Sequence, residues 1–268
     1  MTIRRVVSRV LLPLFVSGLS IAQTEEAPLN PAPPAGLSPQ QIIEKFAAKE
    51  KEFNEVRDRY TWRQTVKVQT LDGDTVDGEW QLITDELFDD KGKRAQRVIY
   101  APQSTLQRVT MSPNDFKDIE NGFPFVLTTD ELPLYNINYV GQQRVDELDT
   151  YVFDVAPKKI EKNKRYYEGR IWVDNLDLQI VKLKGKNVPD IRGKQEDLSP
   201  PFETYREQVD GKYWFPTYTR AEGVLQFKNA EVKIRQIIKY QNYKRYGSDV
   251  KITYEGQEVE REKKEPKK

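Results

Sequence analysis

From Arg165 to Gly223 the chain spells out successive antiparallel strands together with the turns between them. Large aromatic residues fall on alternating positions. Asn175-Leu176-Asp177 interrupts the first pair of runs, and Asp210-Gly211 joins the second. An Asp-Gly step between alternating hydrophobic runs is the strongest short-range hairpin signal. The stretch therefore predicts a large curved sheet, an architecture that often encloses an apolar ligand, and it contains no catalytic motif.

The same period of two runs through most of the chain. Tyr60, Trp62, Gln64, Val66 and Val68 alternate with Thr61, Arg63, Thr65, Lys67 and Gln69, the pattern of a strand with one buried face. Asp72-Gly73-Asp74 and Lys91-Gly92 read as turns around Gly78–Phe88 and before Ala95–Tyr100. A short run at Leu106–Met111 and runs at Tyr135–Arg144, Tyr151–Ala156, Arg165–Val173, Leu178–Lys184, Phe202–Val209, Tyr213–Ala221 and Val232–Tyr243 bring the expectation to about eleven strands. Hairpin-length connections make neighbours antiparallel. No Pro/Ser/Gly-rich linker lies between residues 60 and 245, so one domain over 40–246 is expected.

Ahead of the sheet, Ser38-Pro39-Gln40-Gln41 opens a helix, with Ser38 as N-cap and Gln41 closing a capping box. Ile42, Phe46, Phe53, Val56 and Tyr60 recur at helical spacing, while Glu44, Lys45, Lys51 and Glu52 take the polar side. Ser112-Pro113-Asn114-Asp115 repeats the helix-start pattern, and Asn121-Gly122 ends it. The apolar Phe123-Pro124-Phe125-Val126-Leu127 and Leu132-Pro133-Leu134 follow. Their prolines resist strand pairing, so this interval is either a flap over a cavity or a further piece of core. Asn187–Pro201 reads as a surface loop.

Arg4, Arg5 and Arg9 followed by the apolar run Val10–Ile21 and Ser20-Ile21-Ala22 read as an export leader cut after Ala22. That run is too short to span a bilayer, which needs ~20 residues. Residues 23–39 form a Pro-rich lead-in with five prolines between Ala27 and Pro39. Residues 247–268 form a charged tail expected to be disordered. The leader holds three of the 43 basic residues and none of the 42 acidic ones, which leaves the mature chain at a formal charge of −2. Such balance gives no reason to expect nucleic acid as a partner. The sequence has no cysteine, hence no disulfide and no lipid-attachable thiol. Export without an anchor places the expected product in a periplasm.

Chemistry is limited by what is missing. With no histidine and no cysteine, the commonest general base, the commonest metal ligand and the thiol nucleophile are absent. No GxSxG, GxxxxGK[ST] or GxGxxG sequence occurs. Asp72/Asp74, Asp85/Glu86 and Asp89/Asp90 are the visible carboxylate clusters, but turn chemistry accounts for them. Asp72, Asp74 and Asp77 lack the Gly and distal Glu of an EF-hand loop. No catalytic residue, metal site or cofactor is expected.

The leader, the helix leading into an aromatic first strand (Phe53 to Val68) and the hairpin GRIWVDNLDLQIVKLKG together resemble the LolA-like superfamily, in particular outer-membrane lipoprotein-sorting proteins. Trp172-Val173-Asp174 followed by Gln179–Lys184, then FETYREQVDGKYWFPTYTRAEG, match that family's order of hairpins. The resemblance implies a mainly β (α+β) fold, an open antiparallel half-barrel of about eleven strands with helices covering its concave face. It implies a periplasmic carrier of lipid acyl chains or lipoproteins, served by an inner-membrane transporter or an outer-membrane acceptor. Ile42, Phe46, Phe116, Phe123, Phe125 and Leu127 would form the lid. Trp62, Trp80, Phe153, Trp172 and Trp214 would form the cavity wall, provided the aromatic phase of each strand faces inward; a one-residue slip reverses it. The competing expectation is a protein-interaction or envelope-sensing module whose concave face is solidly packed. The charged tail and the Asn187–Pro201 loop depart from the family pattern.

Overall fold

The computed structural model describes residues 27–89, 91–111, 125–161, 164–189 and 200–246. The expected leader, the second helix with Phe116, the Phe123 that follows it, most of the Asn187–Pro201 loop and the charged tail lie outside them. One α-helix, α1 (Pro39–Arg57), and ten strands are present among the described residues: β1 (Tyr60–Asp72), β2 (Thr75–Phe88), β3 (Arg94–Tyr100), β4 (Tyr135–Val145), β5 (Leu148–Pro157), β6 (Tyr166–Asp174), β7 (Ile180–Val188), β8 (Phe202–Val209), β9 (Tyr213–Phe227) and β10 (Ala230–Arg245). All ten form one sheet in the order β3-β2-β1-β10-β9-β8-β7-β6-β5-β4. Every pairing is antiparallel, and the two edge strands do not meet.

The count is one strand short of the expected eleven. Leu106–Met111 does not form a strand: Gln107 N–H donates to the Thr70 hydroxyl, and Arg108 has φ +66°, which breaks the extended backbone. Elsewhere the turn chemistry holds. Asp210 and Gly211 have φ +56° and +67°, the pair of left-handed residues a tight hairpin requires. At the β6–β7 turn the Asp174 carboxylate accepts the N–H groups of Leu176 and Asp177 at 3.0 and 2.9 Å.

The topology has one non-local step. After β3 the chain crosses, over residues 101–134, to the far edge of the sheet, and β4 to β10 then return until β10 pairs with β1. Helix α1 begins with the expected capping box, Ser38 hydroxyl accepting from Gln41 N–H and Gln41 side chain accepting from Ser38 N–H. It buries Ile42, Ile43, Phe46, Ala47 and Phe53 on one face of the sheet, the inner face. The lead-in covers the β4 edge: Asn30 and Gln142 exchange both backbone hydrogen bonds, at 2.8 and 2.7 Å.

Gly169 on β6 and Gly185 on β7 stand opposite each other on the inner face, and the Tyr167 ring lies over them with its hydroxyl donating to Arg170 O at 2.8 Å. A Cβ on Gly169 would lie 2.4 Å from both Gly185 Cα and Lys184 O. Neither neighbour is a movable side-chain end, so Gly169→Ala is expected to lower stability by about 1–3 kcal/mol, read as an earlier denaturant midpoint at unchanged slope.

Candidate functional site: the covered inner face

The inner face is apolar along most of its width, and its residues fall into three patches. Over β4–β7, Ile42, Phe46, Leu127 and Phe153 are fully buried together with Val155, Ile171, Ile180 and Leu183. Phe125 packs against this patch, its ring stacked on Tyr167 at 4.6 Å and edge-on to Tyr135 at 5.7 Å. Phe46 meets Phe153 at 5.7 Å. In the middle, Phe53 of α1, Tyr60 and Phe215 pack with ring centroids 4.6–5.0 Å apart. Toward β2, Trp62 and Trp80 join Val66, Val68, Ile238 and Tyr240, with Leu106 and Met111 laid on top. Tyr243 links the last two patches, 4.6 Å from Phe215 and 6.1 Å from Trp62.

The described parts of the crossing connection, 101–111 and 125–134, thus act as a strap over the same face. It touches the Trp62–Trp80 patch at Leu106 and Met111, the middle patch at Val126, and the Phe46–Phe153 patch at Phe125, Leu127 and Leu132. Ile42, Phe46, Phe125, Leu127, Trp62, Trp80 and Phe153 therefore share one face.

Trp172 and Trp214 do not; their expected place is corrected. Both belong to a separate cluster with Val145, Val152 and Val181 on the outer face. Trp172 N–H donates to Gln143 Oε1 at 2.7 Å and Trp214 N–H to Asp177 Oδ2 at 2.6 Å. The reason is strand phase: Ile171 and Val173 hold the inner positions of β6, and Tyr213 and Phe215 those of β9, so the tryptophans between them point away.

One charged pair is buried beneath the helix. Arg206 of β8 donates from Nη1 to Glu50 Oε1 at 2.8 Å and from Nη2 to Glu50 Oε2 at 3.3 Å. Nη2 also donates to the Phe125 carbonyl at 2.8 Å, and the guanidinium stands 5.3 Å from the Phe53 ring centroid. Both side chains are 1% exposed. Burial pushes the Glu50 carboxyl above its ordinary range, and Arg206 pulls it only part of the way back. The helix, the strap and the sheet are joined at this point. Exposed pairs Lys51–Asp130 (2.9 Å) and Lys212–Glu52 (2.7 Å) tie the helix to the strap and to the β8–β9 hairpin.

Sequence reading passed over Glu50 and Arg206. The signal was present, since Glu50 falls between Phe46 and Phe53 on the same helical stripe, where a carboxylate is buried only with a partner.

The acidic clusters are occupied by structure. Asp85 binds Arg63 at 2.7 Å and Arg97 at 2.8 Å, Asp74 binds Lys233 at 2.8 Å, and Asp77 binds Arg108 at 2.6 Å. Asp89 accepts the N–H groups of Lys91 and Lys93 in its turn. Among the described residues no three acidic, His or Cys side chains gather as a metal site would need. Two open hollows carry charged side chains on their rims. One of about 380 Å³ on the outer face is lined by Asn138, Asp154, Glu168, Arg170 and Lys184. The other, about 280 Å³, lies between Lys45, Lys49 and Glu52 of α1 and Asp177.

No family model matches the sequence, and no curated protein matches it. Among solved structures the chain is similar to a DUF1329 family protein from Desulfovibrio piger (15% identity, TM-score 0.38, covering 80% of this chain and 95% of that one). It is also similar to a LolA superfamily protein from Nitrosomonas europaea (14% identity, TM-score 0.32, covering 78% and 93%). A third similar chain comes from the MucA/MucB complex of Pseudomonas aeruginosa (9% identity, TM-score 0.21, covering 74% and 99%). At such identities and scores, what this chain does has to come from its own geometry.

Removing Arg206 alone strands a buried carboxylate, so Arg206→Met is expected to cost about 3–5 kcal/mol near neutral pH. Glu50→Leu with Arg206→Met should recover most of that loss. In the single variant the folded-state pKa of Glu50 lies further above the unfolded value of 4.5. The folded state then binds the extra proton, and stability falls as pH rises above that value. Chemical denaturation at about pH 4.5 and about pH 8 should show the penalty growing with pH; a flat penalty would mean that Glu50 is not carrying the charge.

Proposed function

We propose that the protein is an exported carrier that takes acyl chains of lipids or lipoproteins on the inner face of its sheet, without making or breaking bonds. On this reading residues 1–22 are the export leader, 23–39 the lead-in, 40–246 the carrier domain and 247–268 the tail. The single observation that supports it is the largely apolar inner face, three neighbouring patches from Phe153 to Trp80 overlaid by one helix and by the described parts of one strap rather than by a second sheet. Among the described residues neither cover pairs with the sheet through a strand ladder. Ile42, Phe46 and Leu127 occupy the place an acyl chain would take, so ligand entry exchanges one set of apolar contacts for another. Each buried methylene contributes about 0.8 kcal/mol gross. About ten of them, offset by displacement of the cover, suit the micromolar affinity expected of a protein that must also release its cargo.

A second reading, a protein-interaction module with a permanently filled inner face, is favoured by one observation: Ile42, Phe46, Leu127 and Phe153 are already fully buried against one another and the sheet.

The tryptophans separate the readings, because Trp62 and Trp80 lie on the inner face and Trp172 and Trp214 on the outer. A brominated acyl probe is expected to quench emission from Trp62 and Trp80. Trp62→Phe with Trp80→Phe should remove that quenching, whereas Trp172→Phe with Trp214→Phe should leave it. Quenching confined to the outer pair, or no uptake of the probe together with an empty mass for the protein isolated from cell envelopes, would sink the carrier in favour of the filled module.

A further inference from the structure

We propose that the rim formed by residues 158–161 and 164–165 of the β5–β6 loop, with the turn before β4, docks the protein on an anionic lipid surface. The overall charge of the chain is nearly balanced, at +1 for 268 residues, yet Lys158, Lys159, Lys164 and Arg165 follow one another at this rim, all exposed. The loop's acid, Glu161, is bonded to Lys164 at 2.5 Å. Two large apolar side chains stand half-exposed among these cations: Ile160 is 50% exposed and Leu134 is 45% exposed.

The loop and the turn are one surface. Lys158 N–H donates to Leu134 O at 2.8 Å, and Lys158 Nζ donates to Pro133 O at 3.0 Å. The next acids on the turn side are turned inward or paired. Glu131 accepts the Thr128 N–H and hydroxyl, and Asp130 holds Lys51. Glu168, at the start of β6, is exposed and borders the patch on the outer face.

Apolar tips ringed by lysines fit a bilayer interface. The tips enter the headgroup layer, the lysine stems follow them, and the ammonium groups stay at the level of the phosphates. Charge complementarity selects anionic lipid, and each cation near such a surface adds to the attraction. The rim also adjoins the strap's landing point, since Phe125 packs on Tyr135, the first residue of β4. The proposal concerns the outside of the molecule and stands whether or not the inner face takes a ligand.

The test is co-sedimentation of the full chain lacking its first 22 residues with vesicles of equal parts phosphatidylglycerol and phosphatidylcholine, against phosphatidylcholine alone. Binding is expected only to the anionic vesicles. It should weaken by about tenfold or more when salt rises from about 0.05 M to about 0.5 M, where screening is confined to a few ångströms. Lys159→Glu with Arg165→Glu should weaken it about tenfold or more, and Ile160→Asp should weaken it while the far-ultraviolet circular dichroism stays unchanged. Binding unaffected by these substitutions, or equal on both vesicle types, overturns the proposal. So does failure to bind anionic vesicles at low salt, and if the same substitutions then abolish capture by an acidic protein, the rim belongs to a protein partner instead.

Discussion

The buried pair of Glu50 and Arg206 is the contact on which the arrangement of the inner face depends. Apolar packing drives the helix onto the sheet but is non-directional, and a helix rotated by one position could still bury Ile42 and Phe46 in part. A desolvated carboxylate and guanidinium tolerate no such freedom, because either ion left without the other costs several kcal/mol. The pair fixes the helix at residue 50 against β8 at residue 206 and, through the carbonyl of Phe125, fixes the strap as well. Three segments far apart in sequence are thereby held in one register.

Topology explains why the strap exists. β3 ends at one edge of the sheet and β4 begins at the other, so the connection must traverse a face. The outer face is a ladder of ion pairs, including Arg63–Asp85–Arg97, Lys67–Glu79 and Arg235–Glu222–Arg220. Leu106, Met111, Phe125 and Leu127 of the connection pack on the inner face, while the small apolar cluster of the outer face is packed against by Leu29 of the lead-in. The two edges are then managed differently. β4 is covered by the proline-bearing lead-in through Asn30, whereas β3 carries Arg94 and Arg97 and a register shift opposite Ile83 and Thr84, devices that discourage a further strand from adding.

The sequence disclosed what local physics governs. Alternation in β1, the Asp210-Gly211 turn and the Ser38 capping box all depend on a few adjacent residues, and each stands where it was expected. Phase across a sheet is another matter. An inward-facing aromatic phase puts Trp172 and Trp214 on the cavity wall, yet each is flanked on both sides by residues that compete for the inner position, and Ile171, Val173, Tyr213 and Phe215 hold it. Choosing between two adjacent hydrophobic sets needs the opposite face to be known, and that face has its own small core under Leu29. Likewise the partner of Glu50 lies 156 residues away, beyond any local pattern, although its position on an apolar helical stripe marks it as a group needing one.

A face already filled by its own cover shifts the thermodynamic question away from hydrophobicity. Replacing Phe46, Ile42 and Leu127 by hydrocarbon changes little in transfer energy, since both states bury similar apolar area. What differs is the polar attachment of the cover. Lys51–Asp130 and Lys212–Glu52 are exposed and contribute at most about 1 kcal/mol each. Glu50–Arg206 is desolvated, and parting it without rehydration would be far more costly. Movement of the helix therefore has to let water reach that pair, which couples any opening of the inner face to solvent entry at one defined point between α1, β8 and the strap.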